Sequence, residues 1–136
     1  AITNLSVNIT PTATNSIIKL ESFLFCEYGA VNWMANTTFF FLRDSTKLST
    51  AAAGSRRVGI SFPSSGYHTS DAGGTPDSGA TVYFDSTHNT TSQITYQLAM
   101  SSLYANTLYV NRTVTDSDSN EYERGVSFIS ATEISA

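Results

Sequence analysis

Residues 17–28 read Ile17-Ile18-Lys19-Leu20-Glu21-Ser22-Phe23-Leu24-Phe25-Cys26-Glu27-Tyr28. Successive side chains of a strand face opposite ways. Ile18, Leu20, Leu24, Cys26 and Tyr28 therefore share one face and make a core stripe, while Phe23 and Phe25 point to the other. A strand with two apolar faces needs two partners. Phe39, Phe40 and Phe41 pose the same problem, because neighbours alternate and an exposed Phe forfeits roughly 1.5–3 kcal/mol of burial. Either a second sheet or a loop covers these rings within one subunit, or Phe23, Phe25 and one face of the Phe39, Phe40 and Phe41 run lie near a subunit contact.

The same period of two recurs at Leu5, Val7 and Ile9, and at Ile94, Tyr96, Leu98 and Met100, the pattern of strands with one wet face. No window shows a sustained i, i+3, i+4 apolar pattern with caps, and Thr, Val, Ile, Phe and Tyr dominate the apolar stretches, as strands prefer. Turn signals rich in Gly, Pro, Asn, Asp and Ser fall at residues 11–15, 28–32, 44–47, 63–66, 71–79, 86–92 and 116–121. They delimit about eight to ten short strands, which predicts an all-β antiparallel sandwich or barrel with little or no helix. No repeat of 20–50 residues is present, which excludes a solenoid.

With 136 residues the chain predicts one domain spanning 1–136. Charged residues make up only 13%, while 39 Ser and Thr supply the polar surface; 40% hydrophobic content is ample for folding. Seven basic residues and a net charge of −4 leave no basic stripe for a phosphate backbone, so no nucleic acid is expected as partner. No apolar run approaches the roughly 20 residues that span a bilayer as a helix, so no membrane insertion is expected. Cys26 is the single cysteine and has no internal disulfide partner. The chain starts at Ala1 without a Met or a leader, and we expect it to be the C-terminal part of a longer protein.

Signals for catalysis are weak. The Ser residues lack a G-x-S-x-G elbow, Cys26 sits on the core stripe, and only His68 and His88, both expected in exposed loops, offer an imidazole. No catalytic residue, cofactor or metal site is therefore predicted. Asp116, Asp118 and Asn120 alternate like calcium ligands, but the sixth loop position is Glu121 and the twelfth is Ser127, where a calcium loop needs Gly and Glu. A structural turn is the expected role, its carboxylates pairing with Arg112 and Arg124, whose guanidinium fork gives bidentate geometry. These arginines flank the acidic turn on two strands expected to form a hairpin. The loop-like residues 65–79 hold Tyr67, His68, Asp71 and Asp77. If the chain reads a glycan, Tyr67 and Trp33 would stack on sugar faces while Asp71 and Asp77 accept hydroxyls; otherwise Tyr67 packs its own loop and Trp33 fills core.

Residues 108–134, LYVNRTVTDSDSNEYERGVSFISATEI, carry a Val-Asn-Arg-Thr step, an Asp-x-Asp turn, an Arg-Gly and a last strand ending Glu-Ile. This stretch resembles the C-terminal domain of tailed-bacteriophage virion proteins, especially tail and collar fibres. The resemblance extends more weakly through residues 5–11, 19–25, 41–45 and 91–96, and is thinnest over residues 51–77. It implies a jelly-roll form of the sandwich, a homotrimer, a place in the virion, and a non-enzymatic knob that attaches to host-surface glycan or to other virion proteins. A trimeric capsid decoration protein would share these features. A secreted lectin-like adhesin is the alternative of another class, with N-x-S/T triplets at Asn4, Asn8, Asn36, Asn89 and Asn111; a chain this rich in Ser and Thr produces several by chance.

Overall fold

The computed structural model describes residues 1–29, 36–63 and 73–135. Among them are eight strands and no helix: β1 Ser6–Ile9, β2 Ile17–Tyr28, β3 Thr37–Arg43, β4 Thr46–Leu48, β5 Asp77–Asp85, β6 Ile94–Ser102, β7 Leu108–Val110 and β8 Phe128–Ile134. Every pairing is antiparallel. One sheet runs β1-β6-β3-β4; the other has β2 at its centre, β5 on one edge and both β7 and β8 on the other. The all-β sandwich expected from the alternation is the observed fold.

Its interior follows from the same period of two. Ile18, Leu20, Leu24 and Cys26 of β2 are at most 1% exposed, and they meet Phe39, Phe41, Ile94, Tyr96 and Leu98 from the facing sheet, with Ile2, Leu5 and Leu48 closing the ends. Ser22 interrupts the stripe. Its hydroxyl is buried without a hydrogen-bond partner among the described residues, and such a group costs about 1–3 kcal/mol of desolvation. Ser22→Ala is therefore expected to stabilise the fold by about 1 kcal/mol, measured by urea unfolding; a destabilised variant would mean that the hydroxyl has a partner.

The two-faced aromatic run is covered within the single chain. Phe39 and Phe41 enter the core, and Phe40, on the opposite face, is still only 8% exposed. Lys47 lies across it with Nζ 4.2 Å from the ring centroid, tied down by a 2.6 Å bond to the Val58 carbonyl. The segment beyond Val58 crosses β3, where Ile60 and Phe39 donate to Phe39 and Ser61 carbonyls at 2.7 and 2.8 Å. Gly59 permits the approach, since a Cβ there would stand 2.6 Å from the Thr38 Cβ. The expectation that a face of Phe39, Phe40 and Phe41 lies at a subunit contact is corrected: β4 and the following loop supply the second partner.

A second correction concerns the C-terminal signature. β7 and β8 do not form a hairpin with each other. Both pair with β2, β7 beside Cys26 to Tyr28 and β8 beside Ile17 to Phe23, running in one direction along one edge. They are two pieces of one line of strand, from which residues 111–127 are looped out opposite Leu24 and Phe25. The neck is closed by a single bridge, Arg112 to Arg124, and by the Gly125 N–H donating to the Asn111 carbonyl at 3.2 Å.

Candidate functional site

The excursion is anchored on a buried carboxylate. Glu27, 2% exposed, accepts from the Val114 N–H at 2.6 Å with one oxygen and from the Thr75 N–H and hydroxyl at 3.1 and 3.2 Å with the other. It thus ties the start of the looped-out segment to the approach to β5, and Thr115 adds a 3.0 Å bond to the Gly73 carbonyl. At the neck, Phe25 shares its backbone with Asn111 and Ser127, and its ring lies under Gly125, where a Cβ would stand 2.7 Å from both Cδ atoms. Gly125→Ala must displace the ring or the neck and is expected to cost about 1–3 kcal/mol. An unchanged melting temperature would show that the neck yields freely.

Within the excursion Asp116 receives Arg124 through Nε and Nη2 at 2.7–3.1 Å, and Arg112 approaches it at 3.7 Å. Arg112 also donates to the Thr113 and Val114 carbonyls and stacks on Tyr109. Asp118 lies outside this network of ion pairs. Asp116, Ser117, Asp118, Ser119, Tyr122 and Arg124 line an open depression of about 480 Å³. Among the described residues no group of three His, Cys, Asp or Glu is placed to hold a metal ion.

Of the predicted ligand loop, Tyr67, His68 and Asp71 lie outside the described residues, as does Trp33. Asp77 is not a loop residue: it opens β5 on the inward side opposite Cys26 and is 6% exposed. That position withdraws its carboxylate from any surface ligand and corrects the expectation. The turn signal at residues 71–79 overreached because Asp77 and Gly79 belong to the strand.

His88 is also corrected, being 7% exposed rather than in an open loop. Its Nε2 lies 2.8 Å from the Ser16 carbonyl and its Nδ1 3.1 Å from that of Thr90. The Ser16 hydroxyl donates to Glu133 at 2.6 Å and is 3.4 Å from His88. Serine, imidazole and carboxylate are thus close, but the carboxylate binds the hydroxyl instead of orienting the ring, and Ser16 is 1% exposed. The arrangement is a staple between the β1–β2 loop, the β5–β6 loop and β8, lacking the order of a nucleophilic triad. Nearby, Asp85 accepts from Arg43, Tyr96 and Thr87. Cys26 is inert: burial, then Asp77 and Glu27, push its thiol up to about 12, and only a thiolate is nucleophilic.

The outer face of the β5-β2-β8 sheet is the surface that most departs from an ordinary one. In register across it stand Ala80, Phe23 and Phe128, then Val82, Glu21 and Ser130, then Phe84, Lys19 and Thr132, with Ile17 beside Ile134 at the end. Val82, Phe84, Phe128 and Ile134 are 40–54% exposed. Phe23 is half-buried among them, whereas Phe25 is roofed by its own chain at Gly125. Sequence reading picked out Phe23 but missed Val82, Phe84 and Phe128, because the parity of β5 and β8 relative to β2 is fixed only by the pairing.

Four of the five N-x-S/T triplets have a backbone explanation; the fifth, Asn8, lies in β1 opposite Thr95. Asn4, Asn36, Asn89 and Asn111 all adopt positive φ, between 48° and 65°, a conformation that Asn tolerates far better than most side chains. Each lies outside the strands, in a turn, bend or connecting loop, and the Ser or Thr two residues on reflects the chain's general composition. Compared with protein-family models, with curated proteins and with solved structures, the chain matches none.

Proposed function

We propose that this chain is a non-enzymatic structural domain of a tailed-bacteriophage virion, the trimeric jelly-roll knob of a tail or collar fibre, carried on the particle and meeting host-surface glycan. The observation that supports this reading is the apolar outer face of β5-β2-β8. Its exposed apolar side chains form a patch on the order of 500 Å², at the upper end of what a monomer tolerates and a large part of the ~800 Å² per partner of a standard interface. A domain built to assemble explains such a face; a free-standing adhesin monomer would leave it wet. Within the looped-out segment, residues 116–121 are exposed and would be free to approach a host surface.

Val82→Asp combined with Phe84→Asp tests the reading, since both side chains point outward and neither supports the core. The expected result is conversion of a trimer to a folded monomer, seen by sedimentation velocity with an unchanged circular dichroism spectrum. A variant that still sediments as the wild type would remove this face from the assembly.

A further inference from the structure

Where β5 and β8 frame it, from Ile17 to Phe23 of β2, the outer sheet face carries only two ionisable side chains among the described residues, and both sit at its centre. On β5 the outward positions are Ser78, Ala80, Val82 and Phe84, and on β8 they are Phe128, Ser130, Thr132 and Ile134. Between them β2 presents Lys19 and Glu21, whose Nζ and Oε1 are 2.9 Å apart with side chains 35% and 39% exposed. In the isolated chain so exposed a pair contributes little. Pressed against another surface it loses water. One contact then leaves donors on the ammonium and lone pairs on the carboxylate unmet, and desolvation outweighs a single bond unless further partners arrive.

A second copy of this chain is the occupant that meets these demands. It brings the same neutral, apolar frame with one cation and one anion at its centre, so the ammonium of one copy reaches the carboxylate of the next. Resting on the trimeric reading above, we infer that Lys19 and Glu21 re-pair between copies and decide which chains assemble together: the apolar frame supplies the association and the charges supply the partner choice.

Charge exchange tests this. Lys19→Glu with Glu21→Lys keeps the contact attractive both within a chain and between identical chains, but sets like charges against each other where it meets the wild type. The wild type, ¹⁵N-labelled, and the unlabelled swapped chain are unfolded together, refolded, and analysed by native mass spectrometry. The expected result is two pure trimers, with mixed trimers at least about tenfold below random assortment. Free mixing, at the random share, would overturn the inference while leaving the trimer intact. A wild type that is itself monomeric would overturn the reading beneath it. Lys19→Gln with Glu21→Gln is the control and is expected to mix with the wild type. If that chain trimerises while the swapped one does not, the inference fails as well.

Discussion

Asp85→Ala is expected to destabilise the fold by about 3–5 kcal/mol, the cost typical of breaking a buried ion pair by removing one partner. At this chain length that corresponds to a melting temperature lower by roughly 10–20 °C. Asp85 is 1% exposed at the last inward position of β5. It receives Arg43 Nη1 at 3.0 and 2.9 Å, the Tyr96 hydroxyl at 2.8 Å, and the Thr87 N–H and hydroxyl at 2.9 and 3.0 Å. Arg43 and Tyr96 belong to one sheet and Asp85 to the other, so this carboxylate is a polar rivet through the sandwich. Removing it strands a fully buried Tyr96 hydroxyl and leaves Arg43 with Thr87 alone. Urea unfolding measures the loss, and a cost below about 1 kcal/mol would mean that water replaces the carboxylate.

The same group sets an acid limit. Burial by itself would raise the Asp85 carboxyl, but the Thr87 N–H, the Tyr96 and Thr87 hydroxyls and Arg43 together outweigh it and hold the group below its ordinary 3.8. Glu133 is likewise held below its ordinary 4.5, first by the Ser16 hydroxyl and further by Thr12 and Ala13. For a carboxyl lowered in the folded state, the stabilisation is present above the unfolded value and is lost as pH falls through the folded one. The fold is therefore expected to keep full stability above about pH 4.5 and to lose it progressively below. Asp85→Asn flattens the part of that loss lying below pH 3.8.

Glu27→Ala is the second large effect, expected at about 3 kcal/mol because the charge-assisted bonds it accepts each contribute more than neutral ones. Its two oxygens organise residues 75 and 114. The variant should lose hydrogen-exchange protection at the Thr75 and Val114 amides, while the amides of β3 and β6 remain slow. Glu27→Gln keeps one acceptor but sets an amide N–H₂ toward a donor, so it is expected to fall between Ala and wild type. Protection retained at Val114 in Glu27→Ala would show that the excursion is held by its neck at Arg112 and Gly125 alone.

The sandwich was legible because β2 and β6 alternate cleanly, and one buried face per strand is a local property of the sequence. What joins the elements was not. Glu27, Asp85 and His88 read as ordinary acids and a loop imidazole, since their partners lie 48, 42 and 72 residues away. One signal was available: Asp77 and Asp85 fall on the parity of β5 that also carries Thr81 and Tyr83, and an acid on a core-facing parity must be satisfied from elsewhere. The hairpin expected across residues 108–134 failed for a related reason. Two strand-like stretches around a turn look alike whether they pair with each other or with a third strand, and only the β2 register separates the cases. For the three Phe residues at 39, 40 and 41 the alternation leaves a cover within the chain and a subunit contact equally open, and only the fold shows that a lysine stem and a crossing loop cover them.

Sedimentation equilibrium of the intact domain near neutral pH, from micromolar to hundreds of micromolar, bears most directly on the claim that the β5-β2-β8 face is a contact between copies. The account predicts a species of three times 14.7 kDa that persists on dilution to micromolar concentration. A monomer throughout that range would contradict it and leave the exposed Val82, Phe84 and Phe128 without a partner of their own kind.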